Sequence, residues 1–233
     1  MSDIAQHLDT VRRRIADAAQ AAGRPAASIS LMAVSKTFSA SDVRMAHRYG
    51  QHLFGESYLQ EALEKMTELE DLRATLEWHF VGPVQSNKTR PIAEHFDWVH
   101  SVDRLKIAER LSAQRPEGLA PLNICLQVNI SGEASKSGLA PEEVVEVATR
   151  IAPLPRLRLR GLMAIPEPAA TLDAQRLPHR RLHALLDSMR AVGLDVNTLS
   201  IGMSADLEAA VLEGATIVRI GTAVFGERDY ATH

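Results

Sequence analysis

The sequence holds one cysteine, Cys125, among its 233 residues. A lone cysteine excludes an intrachain disulfide and fits a reducing compartment. Cys125 sits in the apolar run Ile124-Cys125-Leu126 and reads as a small core residue rather than a nucleophile. Aromatic residues make up 4% of the chain, too few for a platform that stacks single-stranded nucleic acid. Charge of one sign is also missing. Twenty-six Lys and Arg oppose 29 Asp and Glu for a net charge of -3, so there is no footprint of a nucleic-acid partner. No apolar run approaches the roughly 18 residues of a membrane span. The start, Met1-Ser2-Asp3-Ile4-Ala5-Gln6, lacks the basic and apolar segments of a secretory signal, and the expected location is the cytoplasm. His, Cys and carboxylates nowhere fall at metal-ligand spacing. No linker-like tract divides the chain, and residues 1–233 read as one domain.

What is present is a regular alternation of strand-like and helix-like runs. Ile4, Leu8, Val11 and Ile15 recur at helical spacing until Gly23 and Pro25. Strands are expected at 29–36, 52–55, 77–82, 98–101, 122–130, 157–165, 198–201 and 215–220. Helices are expected between them, among them 58–72, 105–114, one opened by Pro141, and one from about Leu177 to Val192. Ser39 or Ser41 is placed to cap the second helix, and Ser204 the one through Leu207, Ala210 and Val211. Such alternation demands parallel strands. Eight of them predict an α/β protein built as a single (β/α)8 TIM barrel with an extra N-terminal helix. An open doubly wound sheet is the rival, but no Gly-x-Gly-x-x-Gly turn near the start supports it.

Lys36 ends the first strand, where an α/β protein opens toward its ligand. Most lysines at strand ends simply face solvent, but an amine partly shielded from water can attack a carbonyl. A second signal lies near the other end of the chain. Ser200-Ile201-Gly202-Met203-Ser204 leads into a helix, and Arg219-Ile220-Gly221-Thr222 again joins a strand end to glycine and a hydroxyl. Glycine permits close backbone approach and a helix start offers unpaired N–H groups, and loops after the last two barrel strands often hold phosphate. In a closed barrel the first and eighth strands are neighbours, so Lys36 and Arg219 share one mouth. A Schiff-base lysine beside a phosphate cradle suggests a sugar-phosphate aldolase or a pyridoxal 5′-phosphate (PLP) protein. Other candidates have plainer readings. His79 reads as a core histidine and Lys88 and Arg90 as a solvated basic turn. Lys136, in the loop after the fifth strand, is either solvated or a second lysine that accepts or releases PLP.

The chain resembles the YggS/PROSC-type pyridoxal phosphate homeostasis proteins from its first helix to its C-terminus. The resemblance is carried by Ala33-Val34-Ser35-Lys36-Thr37, Phe54-Gly55-Glu56, the run from Trp78 to Lys88, Lys136-Ser137-Gly138, the run from Arg160 to Pro166, Gly202-Met203-Ser204-Ala205-Asp206 and the run from Val218 to Gly226. It implies a barrel like the N-terminal domain of alanine racemase, with PLP as a Schiff base on Lys36. It implies a phosphate surrounded by Ser200, Gly202, Met203, Ser204, Gly221 and Thr222, and Arg219 facing the pyridine nitrogen. Arginine donates only and disfavours a protonated ring, which weakens the cofactor as an electron sink. One departure from the family pattern is Ser57, where Gly-Glu-Asn-Tyr is usual; serine reaches less far than asparagine, which puts a cofactor contact there in doubt.

Two functions follow from the resemblance. The favoured one is a vitamin B6 carrier, a monomer that holds PLP and supplies it to PLP-dependent apo-enzymes. The alternative is a small PLP-dependent amino-acid racemase. Racemisation needs acid/base groups on both faces of the substrate carbon. Lys36 serves one face, and the chain ends just after Tyr230 without the second domain that supplies the other in alanine racemase.

Overall fold

The computed structural model describes residues 3–132 and 137–227. Eight parallel strands form a closed barrel in chain order: β1 (Ser30–Val34), β2 (Leu53–Glu56), β3 (Glu77–Phe80), β4 (Trp98–Val102), β5 (Leu122–Gln127), β6 (Leu157–Met163), β7 (Thr198–Ser200) and β8 (Ile217–Ile220). The ring closes where β1 pairs with β8, with Ser30 opposite Ile217 and Ala33 opposite Ile220. Helices follow the strands: α2 (Ala40–Arg48), α3 (Leu59–Glu68), α4 (Thr89–His95), α5 (Leu105–Gln114), α6 (Val144–Ile151), α7 (Leu172–Ala191), α8 (Leu207–Leu212) and α9 (Thr222–Phe225), with α1 (Asp3–Ala21) ahead of them all. The expected eight-stranded barrel with an extra leading helix is the observed one.

The strands read as near-continuous apolar runs because both of their faces are covered. Outward strand residues join a shell core with buried helix residues such as Val43, Ala62, Ile92, Ile107 and Leu182. A smaller cluster of Met32, Trp98, Cys125, Met163 and Ile217 is separate from it. Burial pushes the Cys125 thiol up to about 12, which leaves it inert as a nucleophile.

The leading helix α1 buries Ala5, Leu8, Val11, Ile15 and Ala18 on one stripe and lies against α8 and α9. Arg14 forks onto Glu208, with Nε and Nη2 each 2.9 Å from a carboxylate oxygen, and Nη2 also donates to the Ser204 carbonyl at 3.0 Å. His7 Nδ1 lies 3.1 Å from the Val224 carbonyl oxygen. The helix outside the barrel repeat thus braces the segments that follow β7 and β8.

Several boundaries differ from expectation. β1 stops at Val34, so Lys36 lies in the turn beyond it. Helix α7 begins five residues before Leu177, because Thr171 caps it by accepting the Ala174 N–H at 3.3 Å, and Pro178 is carried inside the helix. Ser204 does not cap α8; the cap position is Asp206, whose carboxylate folds back to accept the Met203 N–H at 2.7 Å. Ser39, as expected, caps α2 in a reciprocal box with Asp42.

Candidate functional site

The turn after β1 is built over a buried ion pair. Ser35 is fully buried and its hydroxyl donates to Glu56 Oε1 at 2.6 Å. Lys65, from α3, donates to the Ser35 carbonyl at 2.8 Å, to Glu56 Oε1 at 2.6 Å and to Glu61 Oε1 at 3.0 Å. Glu61 Oε1 also accepts the Thr37 N–H at 2.6 Å. Thr37 takes a φ of 70°, a left-handed conformation that is unfavourable for a β-branched residue. The Glu61 contact holds it there, and Lys36 is the residue between these two anchored positions. Burial pushes the Glu56 carboxyl up from the ordinary range, while Lys65 and the Ser35 hydroxyl pull it back.

Lys36 is half-buried, and its amine lies 5.9 Å from the centre of the Tyr58 ring. It opens on a cavity of about 330 Å³. Val34, Val81 and Ile165 supply the apolar lining; Lys36 and Ser57 come from the turns after β1 and β2, and Met203, Ser204, Gly221 and Thr222 from the segments after β7 and β8. Arg219 completes it from β8. The sequence therefore placed Lys36, Ser57, Met203, Ser204, Arg219, Gly221 and Thr222 at one cavity. Ser200 and Gly202 do not line it.

Gly202 acts through the backbone instead. Its φ is 92°, and a Cβ there would stand 2.7 Å from the Ala210 Cβ. Only glycine lets the segment pass this close to α8. At Gly221 a Cβ would meet the Val34 carbonyl oxygen at 3.3 Å, so glycine also keeps β8 tight against β1. Asp206 pins the segment after β7 from below, accepting the Met203 N–H and lying 2.9 Å from His179 Nε2. Burial works against the Asp206 anion, yet the His179 and Met203 hydrogen bonds hold its carboxyl below the usual range.

The Ser200 hydroxyl is committed elsewhere. It is fully buried, accepts from Arg219 Nη1 at 3.0 Å and lies 2.8 Å from His100 Nδ1. Arg219 Nη1 also donates to the Ser200 carbonyl and Nη2 to the Ala164 carbonyl at 2.9 Å. Burial pulls the guanidinium down to about 10, opposed by Asp206, so it stays charged at neutral pH. Among the described residues, the hydrogen-bond acceptors of Arg219 are two carbonyls and a hydroxyl.

Sequence reasoning missed Lys65, Glu61 and His100. The acid-first Glu61–Lys65 spacing of four on α3 was a visible signal. Lys88 and Arg90 are exposed, and Arg90 approaches Glu94 at 3.8 Å, as a solvated basic turn should. Lys136 and Tyr230 lie outside the described residues.

The donor set suits an aldehyde that also carries an anionic tail: an amine, a glycine- and hydroxyl-rich rim, and a fixed cationic donor beside them. The comparisons with known proteins agree with it. The family model described as alanine racemase, N-terminal domain, matches residues 6–229. The pyridoxal phosphate homeostasis protein of Pseudomonas aeruginosa is 64% identical over 230 residues, covering 99% of this chain and 98% of that protein. The pyridoxal phosphate homeostasis protein of Escherichia coli K12 is 51% identical over 232 residues, covering 99% of each. The solved structure of PipY from Synechococcus elongatus with PLP bound is 36% identical with a TM-score of 0.85, covering 96% of this chain and 100% of that one.

Proposed function

The chain belongs to the pyridoxal phosphate homeostasis family, built on the alanine racemase N-terminal domain, and on that premise we propose that it binds PLP at the barrel mouth and holds it for supply. The observation that carries this reading is the convergence of Lys36, the Met203–Ser204 and Gly221–Thr222 rim, and buried Arg219 on one cavity. PLP supplies an aldehyde, which condenses with a primary amine with loss of water, together with a phosphate and a pyridine nitrogen.

Lys36 provides the amine. Ser204 and Thr222 offer hydroxyls to the phosphate, and Gly221 lets the backbone come close. Arg219 would face the ring nitrogen as a donor that cannot take its proton, which would keep the ring a poor electron sink. Ser57 sits beside Lys36 at the cavity, where its short side chain keeps a hydroxyl within the site. Among the described residues, Lys36 and Arg219 are the only ionisable side chains lining this cavity. A racemase needs a second acid/base group there, so holding rather than turnover is the reading favoured. No described helix is long and apolar enough to cross a membrane. We further infer a cytoplasmic monomer that passes PLP to apo-enzymes, a role supported by the homeostasis name of its relatives.

The test is to add PLP to the purified full chain, reduce with borohydride and map the modified peptide by mass spectrometry. The label is expected on Lys36 and absent from Lys36→Ala. A label on another lysine in the wild-type chain would overturn the assignment. The same loaded protein, given L-alanine in deuterated water, is expected to show no rapid exchange at the substrate carbon. Rapid Lys36-dependent exchange would favour the racemase instead.

A further inference from the structure

Four strands carry polar side chains that link into one chain of hydrogen bonds, and it leads away from the cofactor cavity. From Arg219 on β8 it passes to Ser200 on β7, then to His100 on β4. His100 Nε2 lies 2.9 Å from His79 Nδ1 on β3. His79 Nε2 lies 2.9 Å from Glu77 Oε1. Ser200, His79 and His100 are fully buried and Arg219 is nearly so, whereas Glu77 is half-exposed at the first position of β3. Lysine and cofactor rim lie past the strand ends; Glu77 lies at the strand starts. It borders a separate cavity of about 720 Å³ with Arg73, Asp97 and Asn123. The chain thus joins the two ends of the barrel.

Its ends fix its direction. Arginine donates only, and an ionised carboxylate accepts only. Ser200 Oγ accepts from Arg219 and, because the Glu77 anion draws the imidazole protons to the Nε2 side, its own proton goes to His100 Nδ1. His100 then carries its proton on Nε2 and donates to His79 Nδ1. His79 in turn carries its proton on Nε2, which meets Glu77 Oε1 at 2.9 Å in a close contact bent away from hydrogen-bond geometry. With Glu77 ionised, this arrangement gives each hydrogen bond of the chain one donor and one acceptor and points every donor from Arg219 toward Glu77. The surroundings favour it. Burial first, then His79 and Arg219, push His100 well below the ordinary histidine range. The close His79 contact, against burial, holds the Glu77 carboxyl below its usual range. The Trp98 ring stacks on His79 at 5.5 Å between centroids and fixes its plane. Other charged or titratable groups near the chain are Arg160, whose guanidinium lies 5.2 Å from the Trp98 ring, and Asp206 and Cys125, which act on Arg219.

We propose that Glu77, His79, His100 and Ser200 are positioning residues that orient and polarise Arg219, so that a carboxylate at one end of the barrel tunes the group bound at the other. The effect on the bound group rests on the PLP reading; the directed chain itself does not. None of these four residues lines the cofactor cavity. Among the described residues, Arg219 donates to two carbonyls and a hydroxyl, and the chain reaches the terminal anion through Ser200, His100 and His79. Removing Glu77 frees both imidazoles to change tautomer and lets the Ser200 hydroxyl rotate, which loosens the Arg219 guanidinium where it faces the ring nitrogen.

Two measurements on the full chain test it. Without PLP, nitrogen-15 histidine spectra at neutral pH are expected to show His79 and His100 neutral with the proton on Nε2. They should show that single state lost in Glu77→Ala and kept in Glu77→Gln, whose amide oxygen still accepts. A cationic or Nδ1-protonated ring in the wild-type chain overturns the chain itself. With PLP loaded, the pH midpoint of the visible cofactor band is expected to move by about half a unit or more in Glu77→Ala. Arg73→Gln, at the same cavity but outside the chain, should leave it in place. A wild-type midpoint in Glu77→Ala overturns the tuning while PLP binding stands. A wild-type chain that takes up no PLP defeats the function and, with it, the tuning, while the nitrogen-15 spectra still decide the directed chain.

Discussion

Lys65 lies directly beneath the Lys36 turn, with its amine on the Ser35 carbonyl and between Glu56 and Glu61. Both members of the Lys65–Glu56 pair are buried, at 4% and 0% side-chain exposure. Breaking such a pair from one side leaves an uncompensated charge and costs about 3–5 kcal/mol, whereas replacing both members is far milder. Lys65→Met is therefore expected to lose about that much stability in urea unfolding, and Lys65→Met with Glu56→Gln to recover a large part of it. It should also weaken PLP uptake by Lys36, because the Ser35 carbonyl and the Glu61 contact to Thr37 lose their common partner. A Lys65→Met chain as stable as the wild type would show that the pair carries none of the turn. At this scale, Lys36, Arg219, Gly221 and Thr222 were legible because each stands at the end of a predicted strand. Lys65 and His100 were not: their roles come from contacts across β2 and α3, and across β3, β4 and β7, which no local run of residues encodes.

The strands and helices were legible for a different reason. Strands covered on both faces carry unbroken apolar runs, and helices carry a stripe, so the two periods alternate plainly along the chain. Element ends were less legible, because caps compete. Thr171 drew α7 back past Pro178, and Asp206 took the cap of α8 from Ser204. That last exchange matters for the site, since Asp206 ties Met203 down while Gly202 passes close to Ala210. Gly202→Ala combines a left-handed backbone with a Cβ in contact at 2.7 Å. The two together are expected to cost about 2–4 kcal/mol. Because α8 or the rim must shift to make room, PLP affinity should fall along with the urea midpoint. A variant with wild-type affinity would detach the rim from phosphate binding.

At the scale of the whole barrel, the mouth is assembled from both ends of the chain. β1 meets β8 at the closure, and α1 braces the segments after β7 and β8 through Arg14 and His7. A ligand that bridges Lys36 and the Ser204–Thr222 rim therefore ties the first strand to the last two, and binding should register in global unfolding. A ligand that binds only the folded state adds about 2.7 kcal/mol when present at 100 times its Kd. The urea midpoint of the wild-type chain is expected to rise by the equivalent amount with PLP. In Lys36→Ala the covalent contribution is gone but the rim remains, so a smaller rise should persist at matched concentration. Inorganic phosphate, which engages the rim alone, should stabilise both chains equally and weakly. If PLP stabilised wild type and Lys36→Ala to the same extent, the rim would account for all of the binding and the amine would hold nothing. If phosphate stabilised neither chain while PLP stabilised only the wild type, the amine would act without the cradle. The intermediate pattern is the one that a lysine and an anion rim sharing one mouth require.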